Sequence, residues 1–370
     1  MSKILILANS SSGLYDFRNE LLQAFLKHHQ VIASLPDDTK TELLKAEGVQ
    51  VEMTPINRRG MNPLQDLRLY FTYRKMLRRI NPDLVLTYTI KPNVYGGMAC
   101  ASLGIPYLAT VTGLGSAFEK NGPVLHLVQM LYRAGLKKAS CVFFQNEENQ
   151  RIFRSANLVS GRYRLVRGSG VNLKTHRFEP YPEDDMTRFL YVGRMMKEKG
   201  IEELLDAAKA LHSLSVEFQI LGYCDEDYQA ILDEREKEGV ITQLGFHPDV
   251  QAYYKRASAV VMPTYHEGMS NVLMEASATG RPVIATNISG CREVFEEGVT
   301  GLGFAPKSSE ALIQALKKFL ALSRNERAMM GRSARAKMER EFDRVKVVEA
   351  YLEEARRALK NQHKEVAKDV

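Results

Sequence analysis

Short apolar runs recur along the chain, each ending at Gly, Pro or a small polar residue. The first is Lys3 to Ala8; the polar loop "NSSSG" follows, then a helix expected from about Tyr15 to Lys27. The first half continues with "QVIASLP", "VQVEMTPI", "DLVLTYT", "PYLATVTG", "SCVFFQN" and "RYRLVRGSG". The second half repeats the rhythm with "TRFLYVG", "VEFQILG", "VITQLG", "ASAVVMPT", "RPVIAT" and "GLGFAP". Helical segments such as Gly200–Leu214 and Ser309–Leu322 separate these runs. The alternation predicts an α/β chain of two consecutive doubly wound parallel domains. Residues 172–187, "NLKTHRFEPYPEDDMT", are polar and carry two prolines and an acidic cluster, so the boundary is placed there. The expected domains are 1–172 and 185–340. A final helix over 345–359 has the apolar stripe Val345, Val348, Leu352, Ala355 and Leu359, and the charged tail after it is expected to fray.

Composition changes this picture little. The 370 residues suffice for two cores, and 45% apolar with 26% charged residues is ordinary for a soluble globular protein. Cys100, Cys141, Cys224 and Cys291 lie far apart and read as reduced thiols. The N-terminal apolar run is too short for a signal peptide, and no stretch is long enough to span a membrane, so a cytoplasmic location is expected. Charge is more informative. Residues 1–180 hold 24 Lys and Arg against 13 Asp and Glu, a net +11, whereas residues 181–370 hold 27 against 31, a net −4. The basic half favours a polyanion or an anionic membrane surface as its neighbour.

Candidate chemistry clusters in three stretches. In "YVGRMMKEKGIEELLDAA", residues 191–208, a strand ends at Gly193, and Arg194 and Lys199 precede a helix. Two cations at the carboxyl end of a parallel strand suit a diphosphate, although a solvated charged loop has the same composition. In "YHEGMSNVLMEASATGRPVIA", residues 265–285, a buried-type strand leads to a polar loop and a helix from about Asn271 to Ala278. The free amides of that helix start form an anion site. Glu267 lies in the loop and Glu275 in the helix, so they do not share a helical face and do not read as the acid/base pair of a sugar hydrolase. The third stretch, "GSGVN" at 168–172, is either a tight backbone approach to a ligand or a plain turn. Asp225 and Asp227 form an Asp-x-Asp, a pattern that can hold a metal, but it follows the strand "EFQILG" as a loop opening a helix, and the eight His show no ligand spacing, so no metal is expected.

Together these stretches resemble the retaining GT-B glycosyltransferases of family 4. Gly193, Arg194, Lys199 and Gly200 match the family's G-R-x-x-x-x-K-G element, and Glu267 and Glu275 its E-x7-E element. Gly280 to Thr286, Gly290 and Glu293 match the run that follows. The resemblance covers nearly the whole chain. It implies two Rossmann-like domains facing across a cleft, with the last helix crossing back onto the first domain. The N-terminal domain would bind the acceptor and the C-terminal domain the nucleotide-sugar. Arg194 and Lys199 would hold the diphosphate of a UDP-sugar, and Glu267 the hydroxyls of the transferred sugar. Gly268, Met269, Ser270, Asn271 and Val272 would line the phosphates and sugar with backbone groups, and side chains near Met269, Ser270 and Asn271 would discriminate hexose from N-acetylhexosamine. Glu275 would accept hydrogen bonds from the ribose. Glu293 is open between a ligand contact and an acid in a helix's first turn. No cofactor and no metal would be required, because two cations and a helix start can neutralise the leaving diphosphate.

On the acceptor side, Gly13 in the first βα loop would approach the reacting centre, and Asp16 and Arg18 would touch the acceptor or serve as a helix-start acid and a surface Arg. Thr112 stands where many members of the family have His, so the phosphate leaving group is a candidate proton acceptor. The "TGLG" and "YTIKPNVYGG" versions look like the subgroup that builds bacterial capsule, O-antigen and lipid-linked glycan precursors, which implies an undecaprenyl-diphosphate-linked sugar acceptor. Residues 62–80 place Leu67, Tyr70, Phe71 and Leu77 beside Arg68, Arg74, Lys75, Arg78 and Arg79, and residues 123–138 repeat the type more weakly. Such helices fit peripheral contact with the inner face of the cytoplasmic membrane, or core packing with a solvated charged face. A UDP-sugar 2-epimerase shares the implied fold, and a non-catalytic polyanion binder shares the charge. Nucleic acid is disfavoured, since no helix-turn-helix or zinc pattern appears.

Overall fold

The computed structural model describes residues 1–57, 62–113, 118, 122–212, 215–224 and 227–366. It divides into two compact units, Met1–Ser169 with Val345–Val370, and Gly170–Arg344. All thirteen apolar runs form strands. The first unit carries β1 (Lys3–Leu7), β2 (Gln30–Leu35), β3 (Gln50–Met53), β4 (Leu84–Tyr88), β5 (Tyr107–Val111), β6 (Cys141–Phe144) and β7 (Tyr163–Leu165). The second carries β8 (Thr187–Val192), β9 (Val216–Leu221), β10 (Thr242–Gly245), β11 (Ala259–Met262), β12 (Val283–Thr286) and β13 (Gly301–Phe304).

Every strand pairing is parallel, as expected when a helix returns the chain between strands. The sheet orders are β3-β2-β1-β4-β5-β6-β7 and β10-β9-β8-β11-β12-β13. Strand order therefore reverses between β1 and β4 in one unit and between β8 and β11 in the other. Doubly wound sheets bind ligands at the carboxyl ends of such switch points. Strands β4, β5 and β6 are buried along their whole length, which explains runs without polar alternation.

Three expectations change. The first helix spans Ser11–Leu26 and begins four residues early, because Ser10 adopts an extended conformation and its hydroxyl caps the Gly13 amide. Gly13 thus lies in the first helical turn rather than in a loop. Residues 172–187 belong to the second unit rather than to a linker. The fully buried Arg281 holds them there, donating to the carbonyls of Glu179 at 3.0 Å, Pro180 at 2.7 Å and Tyr254 at 2.9 Å. Burial pulls that guanidinium down to about 10. Gly170, inside "GSGVN", has φ +66°, and a Cβ there would lie 2.5 Å from the Arg344 Cα. The stretch is a close backbone crossing where the chain enters and leaves the second unit, with Val171 N–H bonded to Phe342 O at 2.8 Å.

The last helix runs Arg344–Val366, past the expected fraying point. Val345 is exposed, and the buried face is Val347, Ala350, Tyr351, Ala355, Ala358 and Leu359. Its centre is Tyr351, stacked on Phe143 with ring centroids 4.0 Å apart. A stripe read from aliphatic spacing alone passes over this ring. No described helix is long and apolar enough to cross a membrane. Cys100, Cys141 and Cys291 are buried and all four cysteines are free thiols; burial pushes the Cys141 thiol up to about 12.

Candidate active site

The second unit's switch point gathers residues far apart in sequence. Strands β8 and β11 lie side by side, so the loops after them meet. A single turn of 3₁₀ helix, Lys197–Lys199, ends at Gly200 in a left-handed conformation with φ +72°. A Cβ at Gly200 would sit 2.1 Å from the Pro263 carbonyl oxygen, so only glycine lets the two loops touch. Tyr265 N–H then bonds to Glu198 O at 2.9 Å. This registration brings the Lys199 ammonium to 2.5 Å from a Glu267 carboxylate oxygen, both side chains largely buried. Arg194 is set by its own backbone: the Tyr191 hydroxyl donates to Arg194 O at 2.7 Å. Gly193 faces Gly222, whose φ of +148° and lack of Cβ permit an approach that a side chain would block at 1.9 Å.

The Glu267 loop is braced from beneath. Ser270 N–H bonds to Gly290 O at 2.8 Å. The Glu293 carboxylate accepts from Gly290 N–H at 2.7 Å and from the Ser289 hydroxyl at 3.1 Å, so Glu293 closes a turn. Gly290 packs against the Glu267 backbone, where a Cβ would meet the carbonyl oxygen at 2.6 Å. Its role was visible in the sequence only as one glycine of a motif. The helix Asn271–Ala278 starts beyond Ser270, whose hydroxyl caps the Leu273 amide at 3.4 Å. Glu275 stands one helical turn in and accepts from the Tyr254 hydroxyl at 3.0 Å.

Two of the expected sugar-discriminating side chains are committed elsewhere. Met269 is buried in the core with Leu273 and Met274, and the Ser270 hydroxyl is the helix cap. From these two residues the backbone is what remains toward a ligand; Asn271 and Val272 are partly exposed. Burial first, and then the Glu267 carboxylate, push the Tyr191 phenol and the Cys291 thiol well above their ordinary values. Arg194 acts on the Tyr191 phenol in the opposite sense, and Lys199 on the Cys291 thiol. Among the described residues there is no group of three or more His, Cys, Asp or Glu able to hold a metal; Asp225 of the Asp-x-Asp lies outside them.

The first unit places the expected acceptor residues differently. Asp16 is exposed and pairs with Lys40 at 2.5 Å. Arg18 is no surface residue: it is 7% exposed. Thr112 follows β5 directly and is partly buried, while residues 114–117 of the same loop lie outside the described residues.

The two parallel doubly wound units have the fold of the GT-B glycosyltransferases, and the second carries a Lys–Glu pair at its switch point. The chain belongs to the family 4 type of glycosyltransferases: residues 187–321 match Glycosyl transferases group 1, and residues 3–146 match Glycosyl transferase 4-like. It is 26% identical over 379 residues to the N,N'-diacetylbacillosaminyl-diphospho-undecaprenol alpha-1,3-N-acetylgalactosaminyltransferase of Campylobacter jejuni, covering 97% of this chain and 100% of that protein. Over 157 residues, 41% of each chain, it is 27% identical to the capsular polysaccharide biosynthesis glycosyltransferase CapM of Staphylococcus aureus. The fold matches Anabaena Alr3699/HepE, solved in complex with UDP and glucose, with a TM-score of 0.77 at 20% identity over 95% of this chain and 99% of that one.

Proposed function

We propose that this glycosyltransferase moves a hexose or N-acetylhexosamine from a UDP-sugar, with retention and without a metal, to an undecaprenyl-diphosphate-linked sugar. The observation that carries this reading is the Lys199–Glu267 pair beside the Asn271–Ala278 helix start. A carboxylate held by a lysine can accept from sugar hydroxyls while the same lysine turns a donor toward phosphate. Arg194 adds a second cation for the charge that develops as UDP leaves. Glu275, fixed by Tyr254, would accept from the ribose. With Thr112 in place of a base, the departing phosphate oxygen would take the proton of the acceptor hydroxyl, on the same face as the breaking bond. The names of the Campylobacter and Staphylococcus relatives support a lipid-linked acceptor in surface-glycan synthesis.

The test is a panel of UDP-sugars assayed by thermal unfolding, followed by transfer to a lipid-diphosphate-sugar. At least one UDP-sugar is expected to stabilise the wild type, Arg194→Ala to lose that stabilisation, and transfer to survive EDTA. Unchanged stabilisation of Arg194→Ala would remove the diphosphate role. Transfer lost to EDTA and restored by magnesium would overturn metal independence.

Peripheral contact with the inner face of the cytoplasmic membrane forms part of the proposal. The helix Pro63–Ile80 buries Leu69, Tyr73, Met76, Leu77 and Ile80, yet leaves Leu64, Leu67 and Phe71 exposed. Leu77 therefore faces the core, and the outward stripe is Leu64, Leu67 and Phe71, spaced by 3 and 4 and flanked by Arg68 and Lys75. The helix Pro123–Leu136 likewise exposes Leu127 and Met130. A two-faced helix of this kind suits a lipid interface. Replacing Leu67 and Phe71 together by Glu is expected to abolish co-sedimentation with phosphatidylglycerol vesicles at low salt. Absence of binding by the wild type would sink the membrane assignment.

A further inference from the structure

The first unit hides a cation with no counter-charge. Arg18, on the Ser11–Leu26 helix, is 7% exposed, and its only hydrogen bond among the described residues runs from one guanidinium nitrogen to the Phe17 carbonyl at 3.3 Å. No carboxylate pairs with it there. Its guanidinium lies over the Tyr88 ring at 5.2 Å and the Tyr351 ring at 6.0 Å. Burial pushes both phenols up, so neither supplies negative charge. A guanidinium offers five donors, and a buried cation left unpaired destabilises the fold. The nearby rings offset part of that cost. No Arg18 nitrogen is both fully enclosed and without a partner, so its free donors reach solvent and are open to a ligand.

Its position is informative. Side chains on a helix tilt toward the amino end, so Arg18 reaches toward the carboxyl ends of β1 and β4, where strand order reverses. Thr89, the residue after β4, has φ +72°, a strained conformation for a β-branched side chain, and its buried hydroxyl has no partner. Strain and an unmet hydroxyl thus stand at the same strand end as the unmet guanidinium. Two amides of the helix start are already occupied. Ser11 N–H and hydroxyl bond to the Asp37 carboxylate, and Gly13 N–H bonds to Ser10 Oγ at 3.2 Å. With the Ser11 and Gly13 amides taken and the Asp37 carboxylate beside the helix start, Arg18 is the stronger partner for an anion entering this unit.

We propose that Arg18, beside the Tyr88 and Tyr351 rings at the first sheet's switch point, binds a phosphate group of the acceptor, with the Thr89 hydroxyl at the same strand end. This rests on the lipid-diphosphate acceptor proposed above. The planar fork suits a phosphate, and the two neutral rings beside it leave its charge uncompensated. Such an arrangement keeps an unsatisfied cation in the free protein and pairs it only when substrate arrives.

The full chain, saturated with UDP to fill the donor site, is titrated with inorganic diphosphate in thermal unfolding; separately, with UDP-sugar and no added UDP, transfer is assayed to two acceptors: a prenyl-diphosphate-linked sugar and the same sugar as a methyl glycoside. Arg18→Met should unfold at the same temperature as the wild type or higher, lose the diphosphate-induced shift, and raise KM for the diphosphate-linked acceptor by about 10- to 100-fold. KM for UDP-sugar and for the methyl glycoside should stay within about twofold. Unchanged KM for the diphosphate-linked acceptor overturns the proposal, even if inorganic diphosphate still shifts the wild type, because the anion would then be a free one. If Arg18→Met does not fold, Arg18→Lys decides, since it keeps charge without the fork. A several-fold rise in acceptor KM supports the assignment and an unchanged value rejects it. Failure of the donor reading shows separately, as UDP stabilisation that survives Arg194→Ala.

Discussion

Lys199→Ala is expected to lower the turnover of sugar transfer by about 10²–10³-fold, with far less effect on folding. Two roles converge on this ammonium. It sits 2.5 Å from Glu267 and so fixes the carboxylate proposed to read the transferred sugar. It also carries the positive charge available to the leaving diphosphate. Removing it leaves Glu267 without its charge partner in a largely buried position, where an uncompensated carboxylate repels a donor already rich in negative charge. The loss should fall mainly on kcat, because the demand for positive charge is greatest as the bond to UDP breaks. Steady-state kinetics with saturating UDP-sugar reads this directly. A variant that kept its kcat and only raised KM for the donor would show that Lys199 binds the ground state alone.

Gly290→Ala is expected to destabilise the second unit by about 2–4 kcal/mol and to reduce transfer more strongly than a remote substitution of equal cost. Gly290 has φ +84°, which a side chain adopts only with strain, and an added Cβ would press on the Glu267 carbonyl oxygen at 2.6 Å and the Gly268 carbonyl oxygen at 2.9 Å. The loop can give way only by moving Glu267, so stability and activity should fall together. A chemical denaturation curve gives the first quantity and a transfer assay below the unfolding transition gives the second. Full transfer by the folded fraction would mean that the loop tolerates displacement.

The two predictions show where sequence legibility stops. Glu267, Glu275, Arg194 and Lys199 are recognisable by their spacing, because the motif follows local structure: strand, loop, helix. Gly290 is recognisable as a motif glycine, yet what it touches is not, since Glu267 lies on another loop. Met269 and Ser270 show a division the sequence does not reveal: their backbone groups stay candidates for ligand contact, while packing turns the Met269 side chain into the core and capping commits the Ser270 hydroxyl. Arg18 is the sharpest case. A polar residue on a helix reads as surface, and only the last helix, bringing Tyr351 over the first sheet from more than three hundred residues away, makes it a buried cation. The same distance hides the centre of that helix's buried face, because Tyr351 is chosen by Phe143 rather than by spacing.

By itself, the sequence determined the thirteen strands, the two-unit α/β architecture, the uneven charge and the motif residues. Each of these depends on the period of apolar positions or on the propensities of near neighbours, which the chain carries locally. The tertiary structure alone decided that Lys199 meets Glu267, that Arg281 ties residues 179–180 into the second unit, and that Arg18 is buried beside Tyr88 and Tyr351 with no carboxylate partner among the described residues. Those contacts depend on strand order and on packing between distant segments, where burial fixes which polar groups find partners and which are left waiting for one.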